Sequence, residues 1–187
     1  ASYNLVLKIQ PDHTEAYNNM GFALQDQGDL DAAIESYNLA LKIQPDYAMA
    51  HNNMGNALTL RGSMDIAIAS YNRALKIKPD FAEAHNNLGN ALKERGELDA
   101  AIESFNRALK IRPDYAEAFN NMGIAFRNKG ELDVAIDNFN RALKLNPDFV
   151  EAHNNTGVTL VEQGEFDVAI ESYKRAVAIE PDFADAH

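Results

Sequence analysis

Ten asparagines stand in five adjacent pairs along this chain: Asn18 and Asn19, Asn52 and Asn53, Asn86 and Asn87, Asn120 and Asn121, Asn154 and Asn155. Successive pairs are 34 residues apart. A carboxamide carries donors and an acceptor on one planar group. It can therefore pair with the N–H and C=O of an extended peptide with little regard for its side chains. Asparagine is a poor helix former, roughly 0.6 kcal/mol worse than alanine at an interior site. Ten such sites cost on the order of 6 kcal/mol, comparable to the net stability of a domain. Such a series needs a compensating role. Recognition of a ligand backbone is one; hydrogen bonding to neighbouring helices or to water is the other.

Other chemistry finds less support. His51, His85 and His153 share one slot of the repeat. Side chains one repeat apart do not converge on a single ion, so they read as packing residues and no metal site is expected. His13 and His187 lie near the two ends. Most carboxylates are accounted for as helix caps or as surface pairs such as Glu103 with Arg107 and Asp137 with Arg141. Ser36, Ser70, Ser104 and Ser172 lack a histidine at helical spacing. No glycine-rich phosphate loop is present. Neither catalysis nor a cofactor is indicated.

The elements that must carry these residues follow from punctuation. Pro11, Pro45, Pro79, Pro113, Pro147 and Pro181 form a ladder of step 34. The glycines form two more: Gly21, Gly55, Gly89, Gly123, Gly157, and Gly28, Gly62, Gly96, Gly130, Gly164. A fixed period of this length marks a repeat architecture. The aspartates after the prolines (Asp12, Asp46, Asp80, Asp114, Asp148) are expected to cap a first helix A, completed as capping boxes by Glu15, Glu83, Glu117 and Glu151. The second glycine of each unit suits a left-handed position ending helix A. Helix B then carries an aspartate in its first turn and stops before the next proline. Apolar residues fall at helical period, in stripes too wide for one helix pair to cover, so adjacent units must stack. The first glycine ladder is expected to let helix axes approach. Tyr37, Tyr71, Phe105, Phe139 and Tyr173 are expected to fill the space between repeats.

Composition narrows the class. The chain has 187 residues, a net charge of −11 and no cysteine. The absence of thiols fits a reducing compartment such as the cytoplasm. The acidic balance disfavours nucleic acid and anionic membrane surfaces. No apolar run approaches the roughly 20 residues that span a bilayer.

The run His-Asn-Asn-Leu-Gly-Asn-Ala-Leu at 85–92, followed by the segment 96–113, resembles the tetratricopeptide repeat (TPR) almost position for position. The resemblance covers essentially the whole chain. It implies an all-α fold: a right-handed superhelical solenoid of antiparallel helix pairs whose A helices line a concave wall. Full units would run 14–47, 48–81, 82–115, 116–149 and 150–183, as one solenoid fragment over 1–187. A partial helix B (1–11) and a partial helix A (184–187) would flank them. Both ends then cut a helix, which suggests a piece of a longer array that stacks end to end through uncapped termini.

The inward face would hold the second, fifth, sixth, ninth, twelfth and thirteenth positions. The sixth-position series Asn19, Asn53, Asn87, Asn121 and Asn155 is similar to the asparagine ladder of the superhelical arm in O-linked N-acetylglucosamine transferases. With it come Asn52, Asn86 and Asn120 at the fifth position and Asn56, Asn90, Ile124 and Val158 at the ninth. Some tetratricopeptide domains clamp a terminal carboxylate with cations here. Lys93 and Arg127 are the only helix A cations facing inward, which disfavours that mode. The leading expectation is a non-catalytic scaffold for a protein or extended peptide. Alternatives are the substrate-docking arm of a larger glycosyltransferase or sulfotransferase, and a self-assembling structural array.

Overall fold

A computed structural model describes residues 13–180. The partial helices expected at 1–11 and 184–187, and His187, lie outside them. The described residues form ten helices in an all-α helical-repeat solenoid: α1 Thr14–Asp26, α2 Leu30–Ile43, α3 Ala48–Leu60, α4 Met64–Ile77, α5 Ala82–Glu94, α6 Leu98–Ile111, α7 Ala116–Asn128, α8 Leu132–Leu145, α9 Val150–Gln163 and α10 Phe166–Ile179. Odd-numbered elements are A helices and even-numbered ones B helices. The chain divides into two compact units, 1–91 and 92–187.

In the first unit α1 pairs with α2 and α3 with α4, and α3 also packs on α2 and α1. In the second, α7 pairs with α8 and α9 with α10; α7 also packs on α6, and α9 on α8 and α7. Alanine dominates both cores: Ala33, Ala40, Ala50, Ala57, Ala67 and Ala74 are fully buried in one, Ala118, Ala125, Ala135, Ala142 and Ala152 in the other. Small side chains bring the helices close, and the large groups left to fill the gaps are the aromatics. The Tyr37 ring lies on Gly21, where an added Cβ would stand 2.6 Å from Cε1, and Phe139 lies on Gly123 in the same way. The rings of Tyr37, Tyr71, Phe139 and Tyr173 thus seat on the glycine of their own repeat, closing those A/B pairs from within. The repeat pattern alone places them between repeats; the structure seats these four within one.

Each A helix ends as its second glycine demands. Gly28 has φ +83° and Gly164 φ +85°, a region that costs glycine little. The Gly28 N–H donates to Gln25 O at 3.0 Å and the Asp29 N–H to Leu24 O at 3.0 Å. These two bonds form a Schellman motif, repeated by Gly164 to Val161 and Glu165 to Leu160.

The start of helix A departs from expectation. Tyr47, Tyr115 and Phe149 occupy the N-cap position and make no side-chain cap bond. Asp46, Asp114 and Asp148 lie one residue too early, inside a turn opened by the proline and closed by Tyr47 N–H to Gln44 O at 3.2 Å. The capping boxes expected of Asp114 with Glu117 and of Asp148 with Glu151 therefore do not form. At α1 the N-cap is His13, whose Nδ1 accepts from the Ala16 N–H at 3.2 Å; Asp12, expected to cap it, lies outside the described residues. In the turns the aromatic serves as a platform instead: Lys78 sits 5.1 Å above the Phe81 ring and Arg112 4.4 Å above Tyr115. At the start of helix B, Asp29 accepts from the Ala32 N–H at 3.2 Å.

Candidate peptide-binding face

The paired asparagines do not play equivalent parts. At the fifth position Asn18, Asn52, Asn86 and Asn120 are buried. At the sixth, Asn53, Asn87, Asn121 and Asn155 are half-buried and Asn19 is exposed. Within each unit, a pair bonds to the next. Asn53 Nδ2 donates to Asn18 Oδ1 at 3.1 Å, and Asn87 Nδ2 to Asn52 Oδ1 at 3.1 Å. In the second unit Asn155 Nδ2 donates to Asn120 Oδ1 at 2.9 Å. The sixth-position amide of one A helix thus reaches back to the buried fifth-position oxygen of the A helix before it. The two roles weighed for these residues are therefore not exclusive. The carboxamides hold neighbouring helices together, so they are not a free row, yet one Nδ2 proton and the Oδ1 of a half-exposed amide remain beyond that bond. Within a repeat, Asn18 Nδ2 approaches Asn19 Oδ1 only at 3.4 Å and Asn52 Nδ2 approaches Asn53 Oδ1 at 3.5 Å, near the limit of a useful bond.

At the ninth position Asn56 and Asn90 differ. Asn56 Oδ1 accepts from the Tyr71 hydroxyl at 2.8 Å. That hydroxyl also meets Thr59 Oγ1 at 3.2 Å. Burial raises the Tyr71 hydroxyl to about 12, so it stays a donor throughout the neutral range. Tyr37 is raised to about 12 for the same reason and reaches Gln25 Oε1 at 3.3 Å. B-helix tyrosines therefore thread over the glycine and deliver hydroxyls to the A-helix face, a contribution that the sequence reading missed. The signal was present: a tyrosine sixteen residues after a glycine, with a polar side chain at the twelfth slot. Asn90 Oδ1 is buried and has no partner among the described residues. Ile124 and Val158 are half-buried, Phe22 is 60% exposed and Val161 is exposed. The first unit thus carries Phe22 with the amides Asn56 and Asn90 at the ninth position, and the second carries the apolar Ile124 and Val158 there. The two inward cations are engaged: Lys93 Nζ lies 3.5 Å from Glu94, and Arg127 Nε 3.9 Å from Glu162 of the following A helix.

The other residues considered for chemistry have structural partners. His51, His85 and His153 each place Nε2 at 2.9 Å from the carbonyl of the proline six residues earlier. Only a ring N–H can satisfy that oxygen, so Nε2 carries the proton. Burial lowers the His51 pKa, opposed by the bond to Pro45. Ser36, Ser70, Ser104 and Ser172 each donate to the carbonyl four residues back, and Asn138 does so from the same slot. Among the described residues no cluster of histidine and carboxylates has the makings of a metal site, and no helix is long and apolar enough to cross a membrane.

Models of the TPR repeat match residues 23–62, 55–96 and 89–130, and tetratricopeptide-repeat models match 2–35 and 120–184. This chain belongs to the tetratricopeptide repeat family. No curated protein sequence matches it. Among solved structures it is similar to MamA, at 28% identity over 92% of this chain and 94% of that one, with a TM-score of 0.75. YrrB, described as a TPR protein with an unusual peptide-binding site, shares the fold at 23% identity over 98% of this chain and 95% of that one, with a TM-score of 0.72. So does pilF of Pseudomonas aeruginosa, at 22% identity over 88% and 75% and a TM-score of 0.82.

Proposed function

We propose that this chain is a non-catalytic scaffold whose A-helix face holds an extended segment of a partner protein. Tetratricopeptide repeats characteristically bind proteins or peptides, and a peptide site is described on YrrB, which shares this fold. The observation that carries the reading is the orientation of the sixth-position amides. An exposed asparagine ordinarily samples several rotamers. Here a 2.9–3.1 Å bond to the neighbouring repeat fixes the plane of Asn53, Asn87 and Asn155. Each then presents its remaining donor and acceptor without an ordering cost on binding, which is what preorganisation contributes to affinity. A ligand that meets one amide per repeat would take Asn53 and Asn87 in the first unit, and in the second the half-buried Ile124 and Val158 add apolar contact area to Asn155. The net charge of −11 favours neutral or basic segments.

Asn90 separates binding from folding. Its oxygen has no partner to lose, so Asn90→Ala should leave the melting temperature unchanged or higher. An array of extended, neutral to basic peptides supplies the probe. Peptides retained by the wild-type chain should bind Asn90→Ala more weakly. Equal retention by both chains, or no retained peptide at all, would remove this assignment.

A further inference from the structure

Four turns that lead from a B helix into the next A helix end on an aromatic residue: Tyr47, Phe81, Tyr115 and Phe149. In two of them the chain supplies a cation of its own from three residues earlier. Lys78 stands 5.1 Å above the Phe81 ring and Arg112 4.4 Å above Tyr115. The contact is local, made within one turn of backbone. Tyr47 ends the same kind of turn: its N–H donates to Gln44 O at 3.2 Å, as the Tyr115 N–H donates to Arg112 O at 3.3 Å. The cation's place is taken there by Gln44, which is uncharged. Among the described residues no cation lies over the Tyr47 ring, and Arg73 is held by Asp46 at 2.9 Å.

The groups around this ring suit a cation from outside. The Tyr47 hydroxyl donates to Met49 Sδ at 3.8 Å. Met49 is 48% exposed and holds the second position of its A helix, where the other repeats carry Glu15, Glu83, Glu117 and Glu151. A thioether there offers an apolar floor to the methylene stem of a lysine or arginine. Burial, and after it the charge of Glu15 on α1, raises the Tyr47 hydroxyl, so a carboxylate acts on this site electrostatically. The ring face and the carboxylate attract a cation together. Met49 and Asn53 stand one turn apart on one face of α3. That is about 6 Å along the helix, roughly two residues of an extended chain.

We infer that Tyr47, Met49 and Glu15 receive one arginine or lysine side chain of the bound segment, stacked on the ring as Arg112 stacks on Tyr115. The inference rests on the peptide-binding reading and names the residue class selected at this end of the face.

The test is a pair of extended, lysine-free peptides that differ only in carrying arginine or citrulline, its uncharged isostere. The wild-type chain should bind the arginine member more tightly. Tyr47→Leu, which alters no charge, should cut that preference about two- to fivefold, the worth of an exposed cation–π contact. Gln44→Arg gives the ring a cation from its own chain and should do the same. Tyr47→Phe keeps the ring and should keep the preference. All three variants should retain their helical circular dichroism, since Tyr47 makes no capping bond and Gln44 is exposed. A preference that Tyr47→Leu and Gln44→Arg both leave intact overturns the inference, as does equal binding of the two peptides by the wild type. Asn90→Ala should weaken both members alike. If it weakens neither, the reading of the A-helix face falls, while the loss of preference in Tyr47→Leu is read separately. Binding of neither member by the wild type removes both.

Discussion

At the residue scale, the glycines of the first ladder are fixed by aromatic rings and not by backbone conformation. Alanine is favoured over glycine inside a helix by about 1 kcal/mol. Gly55→Ala should nevertheless destabilise, because its Cβ would stand 2.5 Å from Tyr71 Cε1. Displacing a buried ring typically costs about 1–3 kcal/mol, so the expected net is a loss of up to about 2 kcal/mol by urea denaturation. The double variant Gly55→Ala, Tyr71→Leu should recover part of it. His51 offers a pH test. Its folded pKa lies below the unfolded value, so protonation favours the unfolded chain. Stability from this group is present above about pH 6.5 and is lost as pH falls through its lowered folded value. His51→Gln can keep a donor toward the Pro45 carbonyl but cannot titrate. It should flatten the fall in melting temperature between about pH 7 and about pH 5.5; an unchanged slope would mean that other groups set it.

At the element scale, the contrast between the two glycine ladders shows what a sequence can disclose. Helix ends were legible at Gly28 and its equivalents because a left-handed residue is a local requirement, visible as a residue type. Helix starts were misread because Pro45-Asp46 has the look of a cap while the proline commits both residues to a turn, moving the N-cap onto Tyr47. Propensity at Asp46 lost to turn geometry set one residue earlier. The asparagine pairs were legible as a compensated cost. Which amide would point into the interface and which outward was not, because adjacent residues on a helix differ by about 100° and only the neighbouring repeat decides between them. The bond from Asn53 to Asn18 shows the partition: the fifth position is the acceptor inside, the sixth the donor at the edge. Replacing the donor strands a buried oxygen, a loss of about 1–3 kcal/mol. Asn53→Ala should therefore lower the melting temperature, and Asn18→Ala combined with it should cost less than the sum of the singles. A strictly additive double-mutant cycle would show that the two amides are not coupled.

At the scale of the whole molecule, stability in a repeat array is a sum of units and their junctions. The alanine-rich cores hold few large side chains, so junction bonds and seated rings weigh more here than in a domain with one large core. The tetratricopeptide fold was legible throughout, because its period, glycines and prolines are written in every unit. The tyrosine hydroxyls on the A-helix face were less so, since Tyr37 and Tyr71 belong to B helices and reach the face only by crossing a glycine. The functional proposal stands on this scale as well: within each unit, tethered amides of neighbouring repeats act together only if a ligand spans more than one repeat. Affinity should then grow with peptide length until the ligand covers the face. Lengthening a retained peptide beyond one repeat should strengthen binding, while scrambling its sequence at constant composition should matter little.

The most direct measurement follows the side-chain amide resonances of Asn53, Asn87 and Asn155 by NMR during titration with a peptide retained on the array. The account predicts that Asn53 and Asn87, in the first unit, shift together along one saturating isotherm while their interhelical bonds to Asn18 and Asn52 persist, and that Asn155 shifts with its bond to Asn120 kept. Shifts confined to residues away from the A helices, with these amides unmoved at saturation, would contradict it.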